Sequence, residues 1–202
     1  MFKSKFDVSR ETLDLLNRYV ELIIKWNPKI NLVAKSTIDD IWSRHIEDSL
    51  QVYFQADAKC QKWLDIGSGG GLPGIVIAIL AKTQDAGFKV ELMESDQRKS
   101  VFLRTVIREL ELPATVVTSR IEAAEPSVAD ILSARALADL SDLLAFSERH
   151  LRSGGYCMFA KGKNWQNELK KTQESWHFQY EVFTSITDAD AVVLKLWEVE
   201  RV

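Results

Sequence analysis

Residues 63–74 read Trp-Leu-Asp-Ile-Gly-Ser-Gly-Gly-Gly-Leu-Pro-Gly and join a short apolar strand to an apolar helix through a glycine-rich loop. Glycine has no Cβ, so such a backbone can pass close to a ligand at the carboxyl end of a parallel strand. The helix that begins near Ile75 directs its free N–H groups and its positive dipole end to the same place. Glu94 ends the next apolar run, 88–93, where a carboxylate is placed to accept both hydroxyl hydrogens of a ribose. The stretch therefore predicts a pocket for a nucleoside-containing cofactor.

Two glycine patterns overlap in this loop. Gly69, Gly71 and Gly74 satisfy G-x-G-x-x-G, the pattern of dinucleotide-binding enzymes. Asp65, Gly67, Gly69 and Gly71 together spell D-x-G-x-G-x-G, which is typical of S-adenosylmethionine enzymes. The second pattern fits better, because the dinucleotide pattern requires its first glycine directly after the strand. Asp65 also favours S-adenosylmethionine, since its carboxylate can face the methionine ammonium, but a nicotinamide dinucleotide stays open at this point.

The composition indicates a soluble globular protein. The 202 residues are 46% hydrophobic and 27% charged. We expect a single domain over 1–202, in which an N-terminal helical extension at 1–58 packs on a core at 59–202. No apolar run approaches the roughly 18 residues of a membrane span, and the first residues lack the apolar core of a signal peptide. We expect a cytoplasmic protein without membrane contact, and a monomer. Cys60 and Cys157 stand alone, which indicates neither a disulfide scaffold nor a metal site.

Charge limits the kind of partner. A net charge of −3 argues against a protein that grips nucleic acid over its whole face, but it allows a small local footprint. Basic residues are grouped in the predicted helix 96–111 and at 161–171. Either group would also suit a solvated helix face, so charge alone does not assign an RNA surface.

Strands and helices alternate from Lys62 onward. Apolar runs predict strands at 62–66, 88–94, 114–117, 129–134, 155–161, 178–184 and 191–199, with helices at 73–83, 96–111, 138–151 and 164–175. The last two strands have no helix between them and should form an antiparallel pair at the sheet edge. Before the sheet, apolar spacing predicts helices over 9–26, ended by Asn27-Pro28, and over about 37–54. The fold class is α/β: a Rossmann-like, seven-stranded, mostly parallel sheet with an antiparallel C-terminal edge hairpin, as in class I S-adenosylmethionine-dependent methyltransferases.

Several short blocks, in family order over about residues 20–165, resemble one family. They are Lys25-Trp26-Asn27-x-x-x-Asn31-Leu32, Arg44-His45-x-x-Asp48-Ser49, the 65–74 loop, Glu94-Ser95 with Arg98-Lys99-x-x-Phe102-Leu103, Ser119-Arg120-x-Glu122, Arg135-Ala136 and Lys161-Gly162. The chain resembles the bacterial 16S rRNA guanine-N7 methyltransferases, the glucose-inhibited division protein B (GidB, RsmG) family. The first two blocks are the most specific, since generic methyltransferases lack them.

The resemblance implies transfer of a methyl group from S-adenosylmethionine to N7 of a guanosine in the helix 18 hairpin of 16S rRNA, with the small ribosomal subunit as partner. Family cofactor contacts correspond to Gly67 and Leu72 in the loop, Ile121 and Glu122 after the third strand, and Arg135 after the fourth. The family often has serine directly before this arginine, whereas here Ala134 holds that place and Ser133 precedes it.

The implied chemistry needs no general base, because guanine N7 carries a free lone pair at neutral pH. Polar groups that grip guanine O6 are needed instead, and we expect Arg135 or Lys161 to supply them. Asp65, Gly69, Gly71 and Glu94 complete the predicted cofactor site. His45 is expected to be a helix-face residue bonded to nearby backbone. An oxidoreductase, a small-molecule methyltransferase and a non-catalytic ribosome-binding protein are the competing interpretations.

Overall fold

A computed structural model of the protein describes residues 6–56, 60–84 and 86–202. Its centre is a seven-stranded sheet in the order β3-β2-β1-β4-β5-β7-β6. The strands are β1 Lys62–Ile66, β2 Lys89–Met93, β3 Ala114–Val117, β4 Ala129–Arg135, β5 Leu151–Lys161, β6 Trp176–Thr184 and β7 Val192–Arg201.

The first five strands are parallel, and β7 runs antiparallel to both β5 and β6. The predicted edge hairpin is therefore confirmed, with β7 inserted between β5 and β6. The strand order reverses between β1 and β4, and the carboxyl ends of the strands beside such a switch point open the crevice in which doubly wound sheets bind ligands. Residues after β1 and β4 are thus brought to one place.

Helices cover both faces of the sheet. They are α1 Arg10–Ile30, a π-helical turn Trp42–Glu47 that continues into α2 Asp48–Phe54, α3 Gly74–Thr83, α4 Gln97–Leu110, α5 Leu140–His150 and α6 Trp165–Thr172. Leu16, Tyr19 and Ile23 of α1 are fully buried in the same core as Ile75 and Phe102. The N-terminal helices and the sheet thus share one core. The predicted boundary between residues 58 and 59 lies outside the described residues.

The prediction that Asn27-Pro28 ends the first helix is wrong. α1 continues to Ile30 with Pro28 inside its last turn. The buried Asn27 side chain offsets the cost, because its Oδ1 accepts from the amides of Leu32 and Val33 at 2.7 and 2.9 Å. Asn31 then ends the helix in the left-handed conformation, with φ of 50°. The Trp-Asn-x-x-x-Asn-Leu block is a helix-ending device here.

The second predicted helix also starts later than expected. Residues 35–37 form a separate turn of 3-10 helix, and the continuous helical segment begins at Ile41. Its first turns are π-helical over Trp42–Glu47, a geometry that is frequent at functional sites. In the described ranges, no helix combines the length and the apolar character needed to span a bilayer.

Candidate active site

The glycine-rich loop after β1 is held from two sides. The Ser68 amide donates to the Met93 carbonyl of β2 at 3.1 Å. The buried Tyr19 hydroxyl of α1 donates to the Gly70 carbonyl at 2.6 Å. Burial raises the pKa of Tyr19 well above its ordinary value, so the hydroxyl keeps its proton. The loop conformation therefore depends on the N-terminal helix as well as on the sheet.

The loop glycines are needed mainly for packing against the protein itself. A Cβ at Gly67, which has φ of +60°, would lie 2.5 Å from Leu137 Cδ1. At Gly74 it would lie 2.2 Å from Leu92 Cδ2, and at Gly71 2.4 Å from Ile75 Cγ1. Gly69 is different, since the nearest atom to its Cβ position is 3.8 Å away. Of these four glycines, Gly69 is the one that leaves room on its surface.

Asp65 lies behind the loop rather than in an open pocket. Its Oδ1 accepts a hydrogen bond of 2.7 Å from the Ser133 hydroxyl, and Ser133 accepts in turn from the Trp63 indole at 3.0 Å. Its Oδ2 is buried and has no hydrogen-bond partner among the described residues. Burial raises the pKa of Asp65 to about 6, although the Ser133 hydroxyl opposes that rise. Ser133 stands one residue before the place where the resemblance expects a serine. In this structure its hydroxyl is buried and links Asp65 to Trp63.

Glu94 joins β2 to the loop. One carboxylate oxygen accepts from the Gly69 amide at 2.8 Å and the other from the Asp96 amide at 2.7 Å. Each carboxylate oxygen can accept more than one hydrogen bond. The side chain is nearly buried but still lines a cavity, so it can accept further donors there.

That cavity has a volume of about 400 Å³ and opens at the carboxyl ends of β1 and β2. The predicted cofactor residues that line it are Gly67, Gly69, Glu94, Ile121 and Glu122. Lys99 of α4 and Phe146 of α5 also line it, and the sequence analysis did not single them out for the cofactor. Asp65, Gly71 and Leu72 are buried and do not line it, and Arg135 lines a different cavity.

The second cavity, of about 300 Å³, adjoins the first through Ala136, which lines both. Arg135 and Lys161 border it at the ends of β4 and β5, as do His45 and Asp48 from the N-terminal helical segment. A third cavity of about 550 Å³ lies at the amino end of β5, around Gly154 and Trp197, and no predicted site residue lines it.

Arg135 is held by the N-terminal segment. Its guanidinium donates to His45 Nδ1 at 2.6 Å and to the Arg44 carbonyl at 3.2 Å. Because Nδ1 accepts, the proton of the neutral ring is assigned to Nε2, which lies 2.7 Å from the Thr37 hydroxyl. Burial, with Arg135 and Arg44 adding to it, lowers the pKa of His45 to about 4. His45 is therefore neutral at pH 7 and bonded to side chains, so the expectation of backbone bonding is wrong.

Lys161 is engaged within the protein. Its ammonium lies 2.5 Å from a carboxylate oxygen of Glu168 in α6 and donates to the Ala138 carbonyl at 2.9 Å. The same Glu168 oxygen accepts from the Leu140 amide at the start of α5. Lys161 thus ties the segment after β4 to α6, and it also lines the second cavity.

Comparison with known proteins identifies the family. The rRNA small subunit methyltransferase G family (GidB) matches residues 12–195. The chain belongs to this family. A protein named ribosomal RNA small subunit methyltransferase G from a Ruegeria species is 52% identical over 98% of this chain and 96% of its own length. Namesakes from Paracoccus denitrificans and Rhodospirillum centenum are 50% and 48% identical, over 94% and 98% of this chain and 96% and 89% of theirs.

Solved structures support the fold at low identity. A TehB-like S-adenosylmethionine-dependent methyltransferase from Corynebacterium glutamicum matches with a TM-score of 0.55 and 16% identity, over 92% of this chain and 96% of its own. A mutant of MtNAS in complex with S-adenosylmethionine matches with a TM-score of 0.60 and 15% identity, over 93% and 76%. The class I methyltransferase fold predicted from the sequence is confirmed.

Proposed function

We propose that this protein transfers a methyl group from S-adenosylmethionine to N7 of a guanosine in 16S rRNA of the small ribosomal subunit, in the helix 18 hairpin. Membership of the methyltransferase G family supports the reaction and the substrate. The observation that carries the proposal is the meeting of two cavities at Ala136, one beside the glycine-rich loop and the other beside Arg135. A cofactor and an acceptor base held in these cavities would face each other across that residue.

The residues of the first cavity fit S-adenosylmethionine. Glu94 is placed to accept the ribose hydroxyls, Gly69 leaves its surface open, and Ile121 and Glu122 can flank the adenine. The Asp65 carboxylate is buried directly behind the loop, close to Gly74, and its Oδ2 has no hydrogen-bond partner by distance among the described residues. The dinucleotide alternative is disfavoured, because the described chain ends in an antiparallel pair of strands instead of a sixth parallel strand.

S-adenosylmethionine supplies an electrophilic methyl group when it is bound. The protein then has to orient guanine so that N7 lies in line with that methyl group at about 3 Å. No side chain has to remove a proton from N7. We assign Arg135 to guanine O6, since His45 and the Arg44 carbonyl hold its guanidinium in place while other N–H groups stay available. Lys161 is the second candidate at the same cavity.

The deciding experiment measures methyl transfer from radiolabelled S-adenosylmethionine to 16S rRNA and to small subunits from a strain that lacks this protein. The labelled base is then mapped by cleavage at N7-methylguanosine. One labelled guanosine in helix 18 is the expected result. Label on another base would refute the acceptor, and S-adenosylhomocysteine binding without RNA methylation would favour a small-molecule methyltransferase. RNA binding without S-adenosylhomocysteine binding would favour a non-catalytic ribosome-binding protein.

Arg135→Ala tests the assigned residue. It should lower kcat/KM for the RNA at least a hundredfold while S-adenosylhomocysteine affinity changes little. The reason is that Arg135 lines the proposed acceptor cavity and does not line the proposed cofactor cavity. Arg149→Ala is the matched control, since Arg149 also donates to a backbone carbonyl, that of Ala124, and lines neither cavity. Transfer at the control rate in Arg135→Ala would rule the role out.

We further propose that the protein acts as a monomer in the cytoplasm, where ribosomal subunits are assembled.

A further inference from the structure

Asp48 stands at the start of α2 on the wall of the second cavity, and its carboxylate is used on one side only. Its Oδ1 accepts from the hydroxyls of Ser185 and Thr187 at 3.0 and 2.5 Å. Both hydroxyls belong to the connection between β6 and β7. Among the described residues, no hydrogen bond or ion pair engages Oδ2. The carboxylate is therefore fixed by one oxygen and offers the other.

Asp48 and Arg135 bring opposite charges to the same cavity. Asp48 is the strongest charged influence on Arg135, opposing the effect of burial on the pKa of the guanidinium. Even so, the ion pairs in the described part of the chain do not include these two residues. Arg135 donates instead to His45 and the Arg44 carbonyl. A cation and an anion that share a cavity without pairing can bind a ligand that carries an acceptor and a donor side by side.

Guanine is such a ligand. Its edge presents the O6 acceptor followed by the N1–H and N2–H₂ donors, whereas adenine presents an amino donor followed by the N1 acceptor. If Arg135 donates to O6, the next groups along the ring are donors that require an acceptor, and Asp48 Oδ2 is one. Adenine in the same pose would set its amino group against the guanidinium and its N1 lone pair against the carboxylate.

We propose that Asp48 is the residue that selects guanine, by accepting hydrogen bonds from N1–H and N2–H₂ of the acceptor base while Arg135 holds O6. This inference rests on the proposed function and adds the recognition of the base to it. It also assigns a purpose to the π-helical turn Trp42–Glu47, which sets His45 behind Arg135 and leads into Asp48. Ser185 and Thr187 are positioning residues, because they orient the carboxylate through Oδ1.

The test compares guanosine with inosine at the target position of 16S rRNA assembled from ligated fragments. Inosine keeps N7, O6 and N1–H but lacks the 2-amino group. For the unaltered protein, inosine should lower kcat/KM about tenfold or more. Asp48→Asn keeps an oxygen for Ser185 and Thr187 but turns a donor towards the base. It should lower kcat/KM on guanosine at least tenfold and bring the guanosine-to-inosine ratio down to the difference set by the intrinsic reactivity of N7.

The ratio separates recognition from structure. The intrinsic reactivity of N7 differs between the two bases equally for every variant, so the change in ratio reports the contact alone. Asp139→Asn is the matched control, because Asp139 caps α5 and asparagine caps equally well. It should leave both the rate and the ratio unchanged, and S-adenosylhomocysteine affinity should be unchanged in both variants.

An unchanged ratio in Asp48→Asn would overturn the inference, even if the rate fell. So would a loss of the ratio in Asp188→Asn but not in Asp48→Asn, since Asp188 is the other carboxylate on this wall. If Asp48→Asn does not fold, Thr187→Val is the alternative, because it keeps the carboxylate and removes one hydroxyl from Oδ1. This variant should lower the guanosine-to-inosine ratio at least threefold. An unchanged ratio in Thr187→Val would also overturn the inference. Failure of the unaltered protein to methylate the guanosine RNA would instead refute the proposed function.

Discussion

Replacing Tyr19 by phenylalanine tests whether the N-terminal helix α1 holds the glycine-rich loop in its conformation. The hydroxyl is fully buried and donates to the buried Gly70 carbonyl at 2.6 Å, so Tyr19→Phe leaves that carbonyl without its donor. An unsatisfied buried polar group costs about 1–3 kcal/mol. For a domain of this size each kcal/mol lowers Tm by about 2–4 °C. If the bond holds the loop in its binding conformation, S-adenosylhomocysteine affinity should also fall, by about three- to tenfold, since tenfold corresponds to about 1.4 kcal/mol.

Tyr53→Phe provides the matched control. Its hydroxyl bonds Gln84 Oε1 at 2.7 Å, far from the loop, and the exposed Gln84 can turn to water instead. We expect a cost below about 1 kcal/mol and no change in affinity. The assay is calorimetric titration of S-adenosylhomocysteine together with thermal unfolding of both variants. If Tyr19→Phe lowered Tm but kept the affinity within twofold of the unaltered protein, the loop would not depend on α1, and the reasoning would be wrong.

Two further predictions concern His45 and Lys161. The pKa of His45 falls from its ordinary 6.5 to about 4 in the folded state. Between these two pH values the unfolded chain therefore binds more protons than the folded protein. His45 thus lowers the free energy of unfolding as the pH drops from about 6.5 to 4. Urea unfolding at pH 7 and pH 5 should show a smaller acid loss for His45→Gln; Asp65, with its raised pKa, acts in the opposite sense but equally in both proteins. Equal losses would contradict the neutral ring. Lys161→Met should lower Tm because it leaves the Glu168 carboxylate without its cation. Lys161→Met with Glu168→Gln should restore most of that Tm, because glutamine removes the charge and keeps an oxygen for the Leu140 amide. The rate of methyl transfer by the double variant should remain at least tenfold below that of the unaltered protein. A recovered rate would mean that Lys161 has a structural role only.

The sheet and its helices followed from the sequence because apolar periodicity is a local signal. The alternation after Lys62 predicted every strand and the antiparallel pair of β6 and β7. The end of α1 did not follow, because Pro28 is a local signal against helix whereas its compensation, the Asn27 side chain bonded to Leu32 and Val33, is a tertiary feature. Local rules fail where a buried polar group settles the matter.

The candidate site shows the same division. The glycine pattern predicted a cavity beside the loop, and Glu94, Ile121 and Glu122 do line one. The pattern did not indicate that a side chain at Gly67 would clash with Leu137, or that one at Gly74 would clash with Leu92. The contact between His45 and Arg135, separated by 90 residues, depends on how the N-terminal segment packs on the end of β4. The Arg-His-x-x-Asp-Ser block was the signal that pointed to it, and spacing alone could not say what its side chains touch.

The two halves of the proposed reaction are therefore built by different parts of the chain. The Rossmann-like core supplies Glu94 and the glycine-rich loop to the cofactor cavity, as in any sheet of this class. The N-terminal segment supplies His45 and Asp48 to the neighbouring cavity, where they orient Arg135 and complement its charge. The same segment also reaches the cofactor side through Tyr19 and Gly70. The proposed reaction, which chooses one guanosine in a ribosomal subunit, needs more selectivity for its acceptor than the shared core provides, and we propose that this segment adds it.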